Sequence, residues 1–393
     1  MTIINQRNAS VLTACDRNAV GDIVIPEGVT VIGERAFAKC EDLTSVTIPG
    51  SVTEIGAEAF DGCFHLKSIE IPQSVVTIGN KAFGGCWGMK SLTLAEGLKV
   101  IGSKAFESCW GLSSLTVPGS VGEIGEAAFK SCVHMKSLTL SEGVRTIGDR
   151  AFMMCRGLAS VSLPESLTTI GEEAFTKCDS LDSLTIPESV GQIGIRAFEW
   201  CSSLKSVKLP SGLSSISEEM FKNCAQLSDI TIPESVTKIG VSAFQNCKGL
   251  KTVNIPKSVI DIGCGAFIWC EGLNSVVIPG NVKSVGEVAF SGCSGLSDLT
   301  ISEGVAVIGD YAFERCQSLT SVTIPESVTL VGDGAFSACS RLTSITVPAG
   351  ITVGKSAFGN HDPLARTDRE DNPKDSDRSG TFFKRIFRRK RNS

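Results

Sequence analysis

A phenylalanine recurs every 23 residues through almost the whole of this 393-residue chain. A fixed period between 20 and 50 residues is typical of solenoids, in which each repeat packs only against its neighbours. The chain therefore predicts one elongated domain of about 15 coils rather than several globular domains. Fourteen phenylalanines are in register and a fifteenth, Phe358, comes one residue early: Phe37, Phe60, Phe83, Phe106, Phe129, Phe152, Phe175, Phe198, Phe221, Phe244, Phe267, Phe290, Phe313 and Phe336.

The residues around each phenylalanine are nearly constant as well. Gly lies four residues before it in 14 of 15 units, and Ala lies directly before it in 14 of 15. The unit of Phe221 departs from both rules, with Ser217 and Met220 at these positions. Cys follows three residues later in the first 14 units, and Leu or Met follows six residues later in all of them. Such constancy indicates residues that build the scaffold.

One unit, residues 48–70, shows how a coil should fold. In the preceding segment 43–48, apolar residues at i, i+3 and i+5 predict a strand with one buried face. Pro49 should end that strand because proline has no N–H for a sheet ladder. Residues 52–55 predict a second extended stretch, and the apolar residues of 56–63 fit one short helical turn. Each coil must then stack on the next to bury its apolar side chains.

The unit pattern I-P-x-x-V-T-x-I-G-x-x-A-F-x-x-C-x-x-L-x-x-V resembles the BspA-type (Treponema-type) leucine-rich repeat over about residues 12 to 364. The resemblance implies a solenoid over residues 23–364 whose short strands form a parallel sheet, preceded by an N-terminal capping coil over residues 1–22. It also implies non-enzymatic recognition, because many such proteins are surface or secreted adhesion proteins that bind host proteins or other cells.

Sixteen cysteines raise the question of disulfides or zinc. Fourteen occur once per coil at the same offset, which predicts an internal row of reduced thiols. Neighbouring thiols in such a row would lie within disulfide range, but their Cβ vectors would run parallel rather than converge. We expect no metal site and no cofactor, with some disulfides or a metal as the alternative. Cys15 and Cys264 lie outside the row and are the better candidates for reactive thiols.

The chain start has no apolar core of a secretory signal, and no segment approaches 18 consecutive apolar residues. These features predict a cytoplasmic or peripheral membrane protein, whereas the family resemblance implies the cell surface. Both locations stay open at this point.

After Leu364 the period stops, and residues 365–380 have the polar, charged composition of a disordered linker. A basic amphipathic tail with six positive charges follows. Such a tail suits an anionic membrane surface. Nucleic acid or nuclear import is less favoured, and docking on the acidic body or no dedicated role remain alternatives. The tail residues are Phe382, Phe383, Lys384, Arg385, Ile386, Phe387, Arg388, Arg389, Lys390 and Arg391.

Stacking turns each repeat position into a row on the surface. The outward strand positions are mostly Ser and Thr, which keep a sheet soluble. Four residues after the phenylalanine, most units carry a polar residue, but four successive units carry Phe64, Trp87, Trp110 and Val133. His65 and His134 adjoin this apolar stripe. Because aromatic patches mark interaction sites, the stripe predicts a partner-binding site. The alternative is that the rings only cover the edge of the core.

Catalysis needs a nucleophile, a base and an orienting group brought together, and no unit carries an insertion that could do this. We therefore expect no enzymatic activity and no small-molecule substrate. The sequence predicts a protein-recognition solenoid that acts in adhesion or scaffolding at a cell surface or membrane and binds a protein ligand. The alternative is an intracellular scaffold that its basic tail directs to the inner membrane leaflet or the nucleus.

Overall fold

A computed structural model describes residues 4–8, 10–16 and 19–359, and this part of the chain forms 32 β-strands. A hairpin of β1 (Ile4–Asn8) and β2 (Val11–Cys15) comes first, and two sets of strands then alternate along the chain. The first set coincides with the predicted strand segments: β3 (Gly21–Val24), β5 (Leu43–Thr47), β7 (Ser68–Ile71), β9 (Ser91–Leu94), β11 (Ser114–Val117), β13 (Ser137–Leu140), β15 (Ser160–Ser162), β17 (Ser183–Thr185), β19 (Ser206–Lys208), β21 (Asp229–Ile230), β23 (Thr252–Val253), β25 (Ser275–Ile278), β27 (Asp298–Ile301), β29 (Ser321–Thr323) and β31 (Ser344–Thr346).

The second set consists of two-residue strands that follow the proline of each unit. They are β4 (Val31–Ile32), β6 (Glu54–Ile55), β8 (Thr77–Ile78), β10 (Val100–Ile101), β12 (Glu123–Ile124), β14 (Thr146–Ile147), β16 (Thr169–Ile170), β18 (Gln192–Ile193), β20 (Ser215–Ile216), β22 (Lys238–Ile239), β24 (Asp261–Ile262), β26 (Ser284–Val285), β28 (Val307–Ile308), β30 (Leu330–Val331) and β32 (Thr352–Val353).

Each strand pairs in parallel with the equivalent strand one repeat away, as Ser114 does with Ser137 and Val100 with Glu123. The first set forms sheets of four, three, three, three and two strands. The second set forms sheets of ten and seven strands, the larger of which begins with the antiparallel hairpin β1–β2. The predicted leucine-rich repeat solenoid of about 15 parallel coils is thereby confirmed.

The phenylalanines form one continuous stack along the core. Neighbouring ring centroids are 4.8 Å apart at Phe37–Phe60 and 5.8 Å apart at Phe336–Phe358, and the rings are almost parallel. All fifteen rings are buried. Because the period is constant and the pairing is parallel, every ring lies directly against its counterpart in the next coil. The solenoid therefore has one core that runs its full described length.

The predicted helical turn around each phenylalanine is wrong, since the described part of the chain contains no α-helix. The residues two before and two after the phenylalanine have left-handed backbones, for example Glu58 (φ 53°) and Gly62 (φ 76°). Left-handed residues at this spacing prevent a right-handed helix. The N–H of Phe60 instead donates to the carbonyl of Ala82 in the next coil, at 2.6 Å. The turn segments thus add a third line of hydrogen bonds between coils.

The cysteine row is internal and its thiols have hydrogen-bond acceptors. From Cys63 to Cys339, each Sγ donates to the carbonyl oxygen of the phenylalanine in the preceding coil; this distance is 3.2 Å for Cys63 and 3.5 Å for Cys316. Burial raises the pKa of Cys201 to about 12. All sixteen cysteines are free, and no group of three or more potential metal ligands occurs among the described residues. Cys15 and Cys264 are half-buried and hence the more accessible thiols.

The irregular coil of Phe221 interrupts the second set of strands. β18 and β20 belong to different sheets, whereas their counterparts in other coils are paired. The Ser217 Oγ donates to the carbonyl of Ile193 at 2.6 Å, a carbonyl position that the backbone N–H of a glycine contacts elsewhere. A Cβ at the equivalent Gly194 would lie 2.5 Å from the nitrogen of Glu172. A side chain here therefore requires the coil to shift.

Candidate functional site

The predicted apolar stripe contains a stack of three aromatic rings. We call Phe64, Trp87 and Trp110 the aromatic ladder. The ring centroids of Phe64 and Trp87 are 4.2 Å apart, and those of Trp87 and Trp110 are 4.7 Å apart with only 5° between their planes. Each tryptophan is 42 % exposed, and Phe64 is half-buried. Val133 is also half-buried, in the next coil of the same row.

Tight backbone turns hold the aromatic ladder in place. The N–H of Trp87 donates to the carbonyl of Gly85 at 2.8 Å, and Phe64 bonds to Gly62 in the same way at 3.0 Å. Both glycines have left-handed backbones, with φ of 76° at Gly62 and 68° at Gly85. Since they carry no side chain, the rings approach them closely, and the Trp87 Nε1 lies 3.8 Å from where a Cβ of Gly85 would be. The rings rest on these turns and expose their outer edges.

The two histidines of the predicted site flank the aromatic ladder but do not meet each other. The Nδ1–H of His65 donates to the carbonyl of Glu41, and that of His134 donates to the carbonyl of Trp110, both at 2.8 Å. Both side chains are exposed. They are three coils apart, about 14 Å at the usual strand spacing. This arrangement fits a contact surface and gives no pair of acid–base groups.

The outward Ser and Thr side chains of the first strand set form a second surface. An open groove of 620 Å³ lies there between β17 and β21, and its charged residues include Glu188, Lys208 and Asp229. The Nζ of Lys208 lies 3.8 Å from the Glu188 carboxylate, in a side-chain pair that is mostly exposed. The groove is shallow and solvent-filled by its geometry, and its ion pair is of the exposed kind that contributes little energy. It carries no arrangement of nucleophile and base.

Two features on the opposite side of the coil were not evident from the sequence. Trp200 is 45 % exposed and Ile195 is 39 % exposed, whereas the sequence favours a packing role for Trp200. Trp269, at the same repeat position, does pack: its ring covers Gly292, where a Cβ would lie 2.5 Å from a ring carbon. The residue that follows Trp200 in this row is Asn223. Its side chain occupies the space that Gly292 leaves open.

Alternating charges also connect successive coils on that side. Arg150 and Arg196 alternate with Glu173 and Glu219 at the 23-residue spacing, and Lys222 joins Glu219 at 3.2 Å. The Arg150 Nε lies 2.6 Å from a Glu173 oxygen. The spacing of these charges is the sequence signal that could have revealed the network. Because the charges satisfy one another, the network joins coils and is not left open for a ligand.

Several predictions concern residues that the structure does not describe. The basic tail from Phe382 to Arg391 lies outside the described residues, and so does the third histidine, His361. The predicted domain boundaries at residues 22 and 364 stay predictions. Within the described part of the chain, no helix has the length and apolar character needed to cross a membrane.

Comparisons with known proteins find matches along the whole repeat region. A family model described as "BspA type Leucine rich repeat region" matches residues 13–136, 122–251 and 243–365. The chain is similar to the crystal structure of a leucine-rich repeat protein from Bacteroides ovatus ATCC 8483, with 30% identity over 92% of this chain and 91% of that one and a TM-score of 0.74. It is also similar to a leucine rich cell surface protein from Faecalibacterium prausnitzii A2-165, with 28% identity over 88% and 92% of the two chains and a TM-score of 0.52. A search of curated protein sequences found no match.

Proposed function

Because the chain belongs to the BspA-type leucine-rich repeat family, we propose that it is a non-enzymatic recognition protein that binds a protein ligand in adhesion or scaffolding at a cell surface or membrane. The family and its solenoid support protein recognition as the general role. The similar cell surface protein of Faecalibacterium prausnitzii supports the location.

The observation that carries the proposal is the exposed aromatic ladder. Tryptophan is enriched among the residues that dominate binding energy, because it buries a large area at a low entropic cost. Trp87 and Trp110 each leave 42 % of their surface exposed, although elsewhere in the chain aromatic rings at repeat positions are buried. Their stacking against each other keeps them rigid, which lowers the entropy that a partner must remove on binding.

We expect the double variant Trp87→Ser, Trp110→Ser to remain folded and to lose partner capture by about 30-fold or more, since a binding hot spot contributes about 2 kcal/mol or more. Affinity capture with quantitative mass spectrometry identifies partners of the parent chain, and titration of the main partner measures the loss. Trp200→Ser removes an equally exposed tryptophan elsewhere and serves as the matched control. A variant with lower thermal stability and unchanged capture would show that the rings only cover the core.

The basic tail supports a second candidate function, an intracellular scaffold held at the inner membrane leaflet or in the nucleus. Residues 382–391 carry six Lys or Arg and no Asp or Glu. Near an anionic membrane each basic residue contributes about 1 kcal/mol of attraction. The formal charge of the whole chain is −5, so the tail differs in sign from the rest.

Deletion of residues 381–393 tests this second function. If the tail directs location, the truncated chain should move from the membrane or nuclear fraction to the soluble fraction of cells. Binding to vesicles that contain phosphatidylserine should fall with it, and should fall in the full chain when salt is added. An unchanged distribution of the truncated chain would exclude a targeting role for the tail.

A further inference from the structure

The loops on both sides of the aromatic ladder form a basic edge. In five successive coils, the segments 64–67, 87–90, 110–113, 133–136 and 156–159 contain no Asp or Glu. Four cations lie in them: Lys67, Lys90, Lys136 and Arg156. Acidic residues border the run on either side, with Glu41 and Asp42 in the coil before it and Asp179 and Asp182 in the coil after it. The basic edge is therefore a local feature of a chain with net negative charge.

Backbone hydrogen bonds place these cations in one row beside the rings. The N–H of Lys90 donates to the carbonyl of Lys67 at 2.8 Å, and that of Lys136 donates to the carbonyl of Ser113 at 2.8 Å. Ser113 in turn bonds to the carbonyl of Lys90 at 3.4 Å. The three lysines therefore come from coils one and two steps apart, on the same side of the aromatic ladder.

The lysines of the basic edge have no acidic partner among the described residues, unlike lysines elsewhere. Lys205 lies 2.6 Å from Asp182, and Lys248 lies 2.8 Å from Glu271. No such ion pair is formed by Lys67, Lys90 or Lys136 within the described chain. Arg156 has one, at 3.7 Å from Asp179. These charges remain available to an incoming carboxylate.

Ring stacking decides which part of the aromatic ladder a partner meets. The faces of Trp87 are covered by Phe64 and Trp110, at centroid distances of 4.2 and 4.7 Å. A flat ligand such as a sugar ring cannot stack on a covered face. The exposed edges carry the positive part of the aromatic quadrupole and favour oxygen acceptors and aliphatic groups. Ring edges and lysines thus select the same partner chemistry.

We propose that the basic edge and the aromatic ladder together bind an extended acidic segment of a partner protein, whose aliphatic side chains contact the ring edges and whose carboxylates pair with Lys67, Lys90 and Lys136. The proposal rests on the function proposed above and adds the chemistry of the partner. Five coils span about 19 Å between the first and the last, which corresponds to about six residues of extended chain.

Fluorescence anisotropy with labelled peptides of that length tests the proposal on the full chain. One peptide alternates glutamate with leucine, and two controls carry glutamine or lysine in place of glutamate. We expect the acidic peptide to bind at least about 10-fold more tightly than either control, with an affinity that falls as salt is added. Equal binding of the glutamate and glutamine peptides would overturn the proposal.

Charge variants locate the binding site. The triple variant Lys67→Gln, Lys90→Gln, Lys136→Gln should weaken acidic-peptide binding by about 10-fold, since each exposed pair contributes a modest amount. A control with the same change in net charge, Lys205→Gln, Lys238→Gln, Lys248→Gln, should leave it unchanged. If the first triple variant binds as tightly as the parent chain, the peptide lies elsewhere, for example on the basic tail, and the proposal is wrong.

The same variants separate this proposal from the proposed function. If Trp87→Ser, Trp110→Ser abolishes partner capture while the lysine variant retains it, the recognition function stands and the acidic partner is wrong. If neither variant affects capture, the site itself is wrong. Sedimentation of the parent chain completes the test, since dimerisation that requires both tryptophans would make a second copy of the chain the occupant and would also overturn the proposal.

Discussion

Replacement of Phe152 by alanine should lower the free energy of unfolding by about 3–5 kcal/mol. The ring is fully buried, and its centroid lies 5.5 Å from those of both Phe129 and Phe175. Alanine removes the apolar area of the ring and leaves a cavity between two coils. The neighbouring rings cannot close it, because the hydrogen bonds of the adjacent turns fix the distance between coils.

The position of Phe152 near the middle of the chain adds a second effect. In a solenoid each coil is stabilised by its intrinsic stability and by the interfaces with its two neighbours. The cavity weakens both interfaces of one central coil. We therefore expect urea unfolding of the variant to become broader or to separate into two transitions, because the coils on each side no longer unfold as one unit.

Circular dichroism at increasing urea concentration measures both effects. Ser160→Ala, which changes an exposed side chain of the same repeat, is the matched control and should change stability by less than about 0.5 kcal/mol. A loss below about 1 kcal/mol for the phenylalanine variant would mean that the stack closes over the gap. That result would contradict a core in which each ring is held at a fixed spacing.

The sequence predicts much of the fold because the period alone determines which residues are neighbours. A constant 23 residues places Phe60 next to Phe37 and Phe83, and the alternation within segment 43–48 identifies the inward side chains. The conformation of the turn was not predictable in the same way. Ala59, Phe60 and Cys63 have a spacing that suits a helical turn, and the left-handed backbone position before the phenylalanine is filled by residues such as Glu58. No residue type there reveals the sign of φ.

The candidate site was predictable to the same extent. Its residues follow from their shared repeat position, so the sequence identifies the members of the aromatic ladder. The orientation of the rings depends on neighbours in other rows, and the sequence alone does not show which neighbour leaves space. Gly292 accommodates the ring of Trp269, whereas the coil after Trp200 has Asn223 and that ring stays exposed.

Replacement of Gly125 by alanine should destabilise the chain, whereas replacement of Gly122 in the same coil should not. A Cβ at Gly125 would lie 2.5 Å from the carbonyl oxygen of Ile101 and 2.8 Å from the carbonyl carbon of Gly102. Real Cβ atoms do not approach backbone this closely, so β12 would have to move away from β10. Overpacking of this kind costs about 1–3 kcal/mol, and lost ladder hydrogen bonds add to it.

Gly122 is the matched control because a Cβ there would meet nothing within 4 Å. Its φ is not in the left-handed region, so alanine fits without strain and reduces the entropy of the unfolded chain. Gly122→Ala should therefore raise the free energy of unfolding by about 0.4–1 kcal/mol. The two alanine substitutions, three residues apart, thus have opposite expected signs.

Ser217 shows what such a substitution does in this solenoid. It is the one non-glycine residue at this repeat position, and the second strand set is interrupted there between β18 and β20. The Ser217 hydroxyl compensates with a bond to the carbonyl of Ile193, which alanine at Gly125 cannot form. Urea unfolding and amide hydrogen exchange of β10 and β12 measure the consequence. If Gly125→Ala were as stable as Gly122→Ala, with unchanged exchange, close packing of the coils would not be the reason for the repeated glycine.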